Sequence, residues 1–197
     1  MYTRNFRMVA LLIAVSGAMV KAHSVAGPQP EQAWASKSGL VALLPPSAVP
    51  ATADPMARLL IEDAFNRYAV ALDEGRWDVL KSLFTEDARV EVVEGSNKPL
   101  VAVAGRDAVL TNFASAWKQQ GEQRRHLISN FVFNQLTDSH ASLIAYGVVI
   151  VANDGLSIGT SIIYTADLRH DPDGAWRFSR LLVGMDKYVG QKPHAPE

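Results

Sequence analysis

The stretch NRYAVALDEGRWDVLKSLFTEDARV, Asn66 to Val90, changes its hydrophobic pattern twice, and those changes set the order of the fold. Leu60, Ile61, Ala64, Phe65, Tyr68, Ala69 and Leu72 recur at helical spacing, so a helix buries one face here. Asp54 is placed to cap it, and Pro55 takes the first helical position, where a missing N–H costs nothing. Gly75 ends the helix. RWDVLKSLF then predicts a second, short helix with Val79, Leu80, Leu83 and Phe84 facing inward, and ARVEVVE reads as the first strand.

Working outward, ARVEVVE and PLVAVAG flank the turn-like GSNK and make a hairpin, after which Gly105 opens a third helix, RDAVLTNFASAWKQQ. Its apolar stripe is Val109, Leu110, Phe113 and Trp117. Four longer strand segments follow, RRHLISNFVFNQL, ASLIAYGVVIVAN, LSIGTSIIYTADLRH and AWRFSRLLVGMD, separated by the turn chemistry of TDSH, NDG and DPDG. There is no internal repeat. The order predicts an α+β domain over residues 55–190, three helices packed on one face of a bent antiparallel sheet, with 191–197 as a tail.

The flanks are built differently. Arg4 and Arg7 precede an apolar run from Met8 to Val20, too short to span a bilayer comfortably, with small residues Val20 and Ala22 ahead of a cleavage point. Residues 1–22 therefore read as a signal peptide and place the mature chain in the periplasm or outside the cell; the alternative is an uncleaved anchor. Removing them takes Arg4, Arg7 and Lys21 from 19 basic residues against 20 acidic ones, leaving a formal charge of −4. Residues 23–54 are rich in Pro, Ala and Ser and read as a flexible linker, in which the short GLVALL could dock.

At 197 residues, 48% hydrophobic, the chain is long enough for a sizeable core. An exported chain with no cysteine must draw its stability from that core rather than from disulfides. Its scattered Lys and Arg give no nucleic-acid footprint. No metal-ligand spacing and no nucleotide or G-x-S-x-G fingerprint is present, so no metal and no cofactor is expected.

Strand alternation puts His126, Ile128 and Asn130 on one face of RRHLISN, with Leu127, Ser129 and Phe131 on the other. A base, a partner that orients it and a donor aimed at a developing oxyanion are what proton abstraction beside a carbonyl requires, and His126, Asp73 and Tyr68 are the residue types for those roles. Each also has a plain structural reading: a satisfied strand histidine, a solvated helix-end carboxylate and a core tyrosine. On an ideal helix Asp73 lies about 140° around from Tyr68, so the two converge only if the helix ends or bends before Asp73. Asn130, Phe84, Trp117 and Tyr146 are candidate ligand contacts by type. Asp186, at a strand end, reads as solvated.

NRYAVALDEGRWDVLKSLFTEDARV at the front, AGRDAV before the third helix, RHLISN opening the meander and DGAWRFSRLLVGMD closing it together resemble the SnoaL-like branch of the nuclear-transport-factor-2-like superfamily, over about residues 56–188. The resemblance implies a cone-shaped fold whose strongly curved sheet and helices enclose a deep pocket, used without metal or organic cofactor on small hydrophobic molecules. In scytalone- and bile-acid-dehydratase-like members a helix tyrosine, an aspartate near that helix's end and a strand histidine converge there; the matching positions are Tyr68, Asp73 and His126. His140 and His170 fall outside the pattern, so a mechanism using two pocket histidines is not implied. The activity implied is that of a lyase (dehydratase) or isomerase on a small hydrophobic carbonyl compound. The alternatives are a non-catalytic binder of such ligands and an assembly module, a homodimer or homotrimer.

Overall fold

The computed structural model describes residues 30–45 and 54–187. The signal-like segment and the last residues lie outside the described residues. A helical turn, α1 (Trp34–Lys37), precedes the long helix α2 (Pro55–Asp73) and the short α3 (Trp77–Ser82). The hairpin strands β1 (Phe84–Glu94) and β2 (Pro99–Ala104) and the helix α4 (Arg106–Lys118) follow, then the meander β3 (Gln123–Leu136), β4 (His140–Ala152), β5 (Leu156–His170) and β6 (Trp176–Met185).

The six strands form one sheet in the order β2-β1-β6-β5-β4-β3. Every pair is antiparallel except β1 with β6, which run parallel because α4 and the meander intervene between them. A wholly antiparallel sheet was expected, and this single pair is the difference. The architecture is the α+β one that the element order implied.

Local signals act where expected. The Asp54 carboxylate accepts the Met56 N–H at 2.9 Å, with Pro55 in the first turn. Gly75 takes φ 62° just beyond α2, and the Arg76 and Gly75 amides close onto the Ala71 and Leu72 carbonyls at 2.8 and 3.4 Å. This left-handed closure stops the helix with Asp73 as its last residue. α3 is shorter than its apolar pattern suggested: Phe84 opens β1 instead.

The core lies between the inner sheet face and α2 and α4. Phe65 is fully buried and meets Phe131, Tyr164 and Phe178 edge-on, at ring separations of 5.3, 6.1 and 4.9 Å. Edge-to-face contacts of this kind add to the burial they accompany.

The Pro/Ala-rich stretch, expected to be irregular, is laid across the sheet over residues 30–45. Trp34 packs on the outer face against Val93 and Leu182, and Gly184 leaves room for its ring, since a Cβ there would sit 3.3 Å from the indole. The indole N–H donates to Asp186 Oδ1 at 2.6 Å, and Ser161 Oγ donates to the other carboxylate oxygen, so Asp186 is an anchor rather than a solvated strand end. Further along, Thr165 Oγ1 donates to the Leu40 carbonyl at 2.8 Å, and the Asn134 side-chain amide donates to the Ala42 carbonyl and accepts the Leu44 N–H at 3.2 Å. Composition misled here because one aromatic side chain and a few backbone hydrogen bonds hold the strap. Trp34→Ala should release the strap while the core stays folded, read as new tryptic cleavage at Lys37. Protection of Lys37 equal to wild type would contradict this anchoring.

Candidate active site

A cavity of about 800 Å³ opens between α2, α4 and the inner sheet face. Leu72, Val92, Phe113, Val149, Ile162 and Met185 give it apolar walls, and Tyr68, Asp73, His126 and Tyr164 bring polar atoms to them. A second groove of about 650 Å³ runs beside Leu43, Leu44 and Pro45, but its one charged group, Arg58, already lies over the Phe133 ring at 4.6 Å.

The early stop of α2 places Asp73 where an uninterrupted helix would not. Its carboxylate reaches across to the start of β3, where Oδ2 accepts the His126 backbone N–H at 2.8 Å and Oδ1 lies 2.5 Å from His126 Nδ1. Both side chains are largely withdrawn from solvent, 5% and 13% exposed for Asp73 and His126. The Gln123 side chain also donates to the Asp73 carbonyl at 3.4 Å, and Arg125 pairs with Glu74 at 2.6 Å, so β3 is tied to the helix end on both sides. A carboxylate in the last turn opposes the helix dipole, at a cost of about 0.3–1 kcal/mol; the two donors from His126 offset it.

With a carboxylate against Nδ1, the ring proton sits on Nδ1 and the lone pair on Nε2, which has no protein partner among the described residues. Nε2 is the atom the dyad leaves for a ligand.

Tyr68 is 2% exposed, edge-on to Phe113, Phe178 and Tyr164 at 6.1, 5.9 and 6.3 Å, and its hydroxyl has no protein hydrogen-bond partner among the described residues. Tyr164 projects from β5 beside it. Gly147 on β4 makes room for that ring, because a Cβ at this position would lie 2.7 Å from the Tyr164 Cε2 atom. Burial, and then the negative Asp73, hold the Tyr68 phenol well above its ordinary value; burial, then Tyr68 and Asp73, do the same to Tyr164. Both therefore stay protonated and serve as donors. The sign follows: the folded chain keeps protons that the unfolded chain releases above about pH 10, so stability is full below that pH and falls above it. Denaturation between about pH 8 and 11 should show this alkaline loss, reduced in Tyr68→Phe; an identical pH profile in that variant would contradict it.

The structure thus brings Tyr68, Asp73, His126 and Trp117 to one cavity, and leaves three of the expected contacts elsewhere. Asn130 sits at φ 58° in a bulge where the β3–β4 register slips between Ser129 and Val132, and is exposed. That slip also turns Phe131, expected on the opposite face from His126, against Phe65. Phe84 is fully buried in the core beneath Tyr68. Tyr146 is 53% exposed and does not line the cavity, because alternation along β4 sends Ala145, Gly147 and Val149 inward. Tyr164 was missed: its alternation with Ile162 and Ala166 marks an inward face, but nothing in the pattern says that this face ends in a cavity. Glu94, Glu122, Arg124 and Asn112 also line it. Among the described residues, no group of three His, Cys, Asp or Glu side chains is placed to hold a metal ion.

The family model of the SnoaL-like domain matches residues 56–181, which hold α2 through most of β6 and the whole dyad. The chain belongs to the SnoaL-like domain family. Solved structures with this SnoaL-like fold include a Catenulispora acidiphila protein in complex with S-DNPA, 23% identical with a TM-score of 0.58, covering 68% of this chain and 96% of that one. ActVI-ORFA from Streptomyces coelicolor is 18% identical at a TM-score of 0.57, covering 66% and 98%. A protein provisionally named scytalone dehydratase from Novosphingobium aromaticivorans is 21% identical at 0.57, covering 72% and 95%. At these identities the likeness is one of fold. No curated protein sequence matches this SnoaL-like chain.

Proposed function

We propose that this SnoaL-like protein is a cofactor-independent lyase or isomerase that removes a proton beside the carbonyl of a small hydrophobic compound. The observation that carries the reading is the 2.5 Å contact between His126 Nδ1 and the Asp73 carboxylate in the wall of an apolar cavity, beside two protonated tyrosines. His126 Nε2 takes the proton, Asp73 holds the ring and stabilises the imidazolium that forms, and the Tyr68 hydroxyl donates to the enolate oxygen. Loss of a β-hydroxyl as water completes a dehydration; return of the proton to another carbon completes a double-bond shift. The provisional dehydratase name of the Novosphingobium structure agrees with the first course.

The test is to extract what the purified protein holds, identify it by mass spectrometry, and return it to the protein. Conversion with loss of water, or to an isomer of equal mass, is the expected result. Recovery of the compound unchanged would make the cavity a binding site without chemistry.

Arg4 and Arg7 ahead of the apolar run Met8 to Val20 support the further proposal that the chain is exported, to the periplasm or beyond. Intact mass of protein from a periplasmic fraction should then begin near His23. Full-length protein confined to the cytosol would refute it.

A further inference from the structure

The cavity walls carry an unequal charge. Asp73, Glu94 and Glu122 bring three carboxylates to them and Arg124 one guanidinium, while His126 with its proton on Nδ1 is neutral, so the formal charge of the lining is −2. The charges are not interchangeable. Glu122 accepts from Arg124 Nε and Nη2 at 3.0 and 2.5 Å, both side chains being 15% exposed or less, so that pair balances internally. What remains is Asp73 behind the histidine and Glu94, the residue that follows Val92 on the inner face of β1. The other polar groups of the lining are neutral: the Tyr68 and Tyr164 phenols, Thr160, and the amides of Asn112, Gln119 and Gln120.

In a largely apolar cavity such charges are poorly screened, and an anion brought among them loses its hydration without gaining an uncommitted cation. An uncharged carbonyl or hydroxyl meets none of that opposition and has neutral donors and acceptors to bind. We infer that the site selects an uncharged carbonyl compound and excludes carboxylates, phosphates and thioesters of phosphate-bearing carriers, so that its substrate arrives as a free, neutral molecule. The inference rests on the reading of this cavity as the substrate site.

The experiment uses two near-isosteric pairs in which a methyl group replaces a carboxylate oxygen: 2-acetylnaphthalene against 2-naphthoate, and 4-phenyl-2-butanone against 3-phenylpropanoate. Dissociation constants are measured by calorimetry near pH 7.5 with the purified protein and with Glu94→Gln, whose fold is checked by circular dichroism. Each ketone should bind about tenfold or more tightly than its carboxylate, and Glu94→Gln should narrow that ratio about threefold. Carboxylates binding as tightly as the ketones, or a ratio unmoved in a folded Glu94→Gln, would overturn the charge selection and leave the proposed chemistry standing. Ketone and carboxylate both failing to bind would overturn the two readings together.

Discussion

His126→Gln is expected to lower turnover of the cavity's substrate about 10²- to 10⁴-fold, with the fold retained and ligand affinity little changed. The geometry makes this substitution informative. The backbone N–H of residue 126 keeps its 2.8 Å bond to Asp73 Oδ2 whatever the side chain, so β3 remains anchored to the end of α2. A glutamine amide can still donate toward Oδ1, but it offers no basic nitrogen to the cavity. Asp73→Asn should lose rate as well, for a different reason: an amide no longer demands the proton on Nδ1, and the lone pair is no longer held on Nε2. Steady-state rates with the compound recovered from the protein, with kcat and KM taken separately, check both variants. Undiminished kcat in His126→Gln would reduce the dyad to a structural tie.

The largest effect on stability is expected at Phe65. Its ring is fully buried and touches Phe131 from β3, Tyr164 from β5 and Phe178 from β6, so it is where α2 grips three strands at once. Phe65→Ala removes the burial and leaves a cavity beneath rigid aromatic neighbours, at about 3–5 kcal/mol. The urea midpoint should fall accordingly with little change in the denaturant slope. A loss below about 1 kcal/mol would mean that the strands hold together without this helix contact. Because Tyr164 is one of the rings released, the same variant should loosen the donor side of the cavity, and ligand affinity should fall with stability.

The elements whose signals are local were legible in the sequence. Asp54 and Pro55 announce the start of α2, Gly75 its end, and alternation across the four long strands gives the meander and its turns. The family's pocket and its three convergent residues were reachable because Tyr68, Asp73 and His126 stand in the right order along the chain. What sequence could not supply was the angle. Asp73 reaches His126 only because the left-handed turn at Gly75 stops the helix at Asp73, and spacing alone puts that carboxylate about 140° away from Tyr68. Asn130 failed for the converse reason: a bulge breaks the period-two rule between it and His126, and no residue type announces the slip. Phe84 and Tyr146 failed because an aromatic in a strand is equally suited to core, cavity and surface. The strap at residues 30–45 was hidden by its composition, since its attachment to the sheet depends on Asp186 and Gly184, some 150 residues later.

The central claim is that His126 Nε2 is a base aimed at a bound carbonyl compound. It is tested most directly by dissolving 2-acetylnaphthalene with the protein in deuterium oxide and following exchange of its acetyl protons by NMR, in wild type and in His126→Gln. The account predicts exchange above the buffer rate in wild type and at the buffer rate in His126→Gln; equal rates in the two proteins would contradict it.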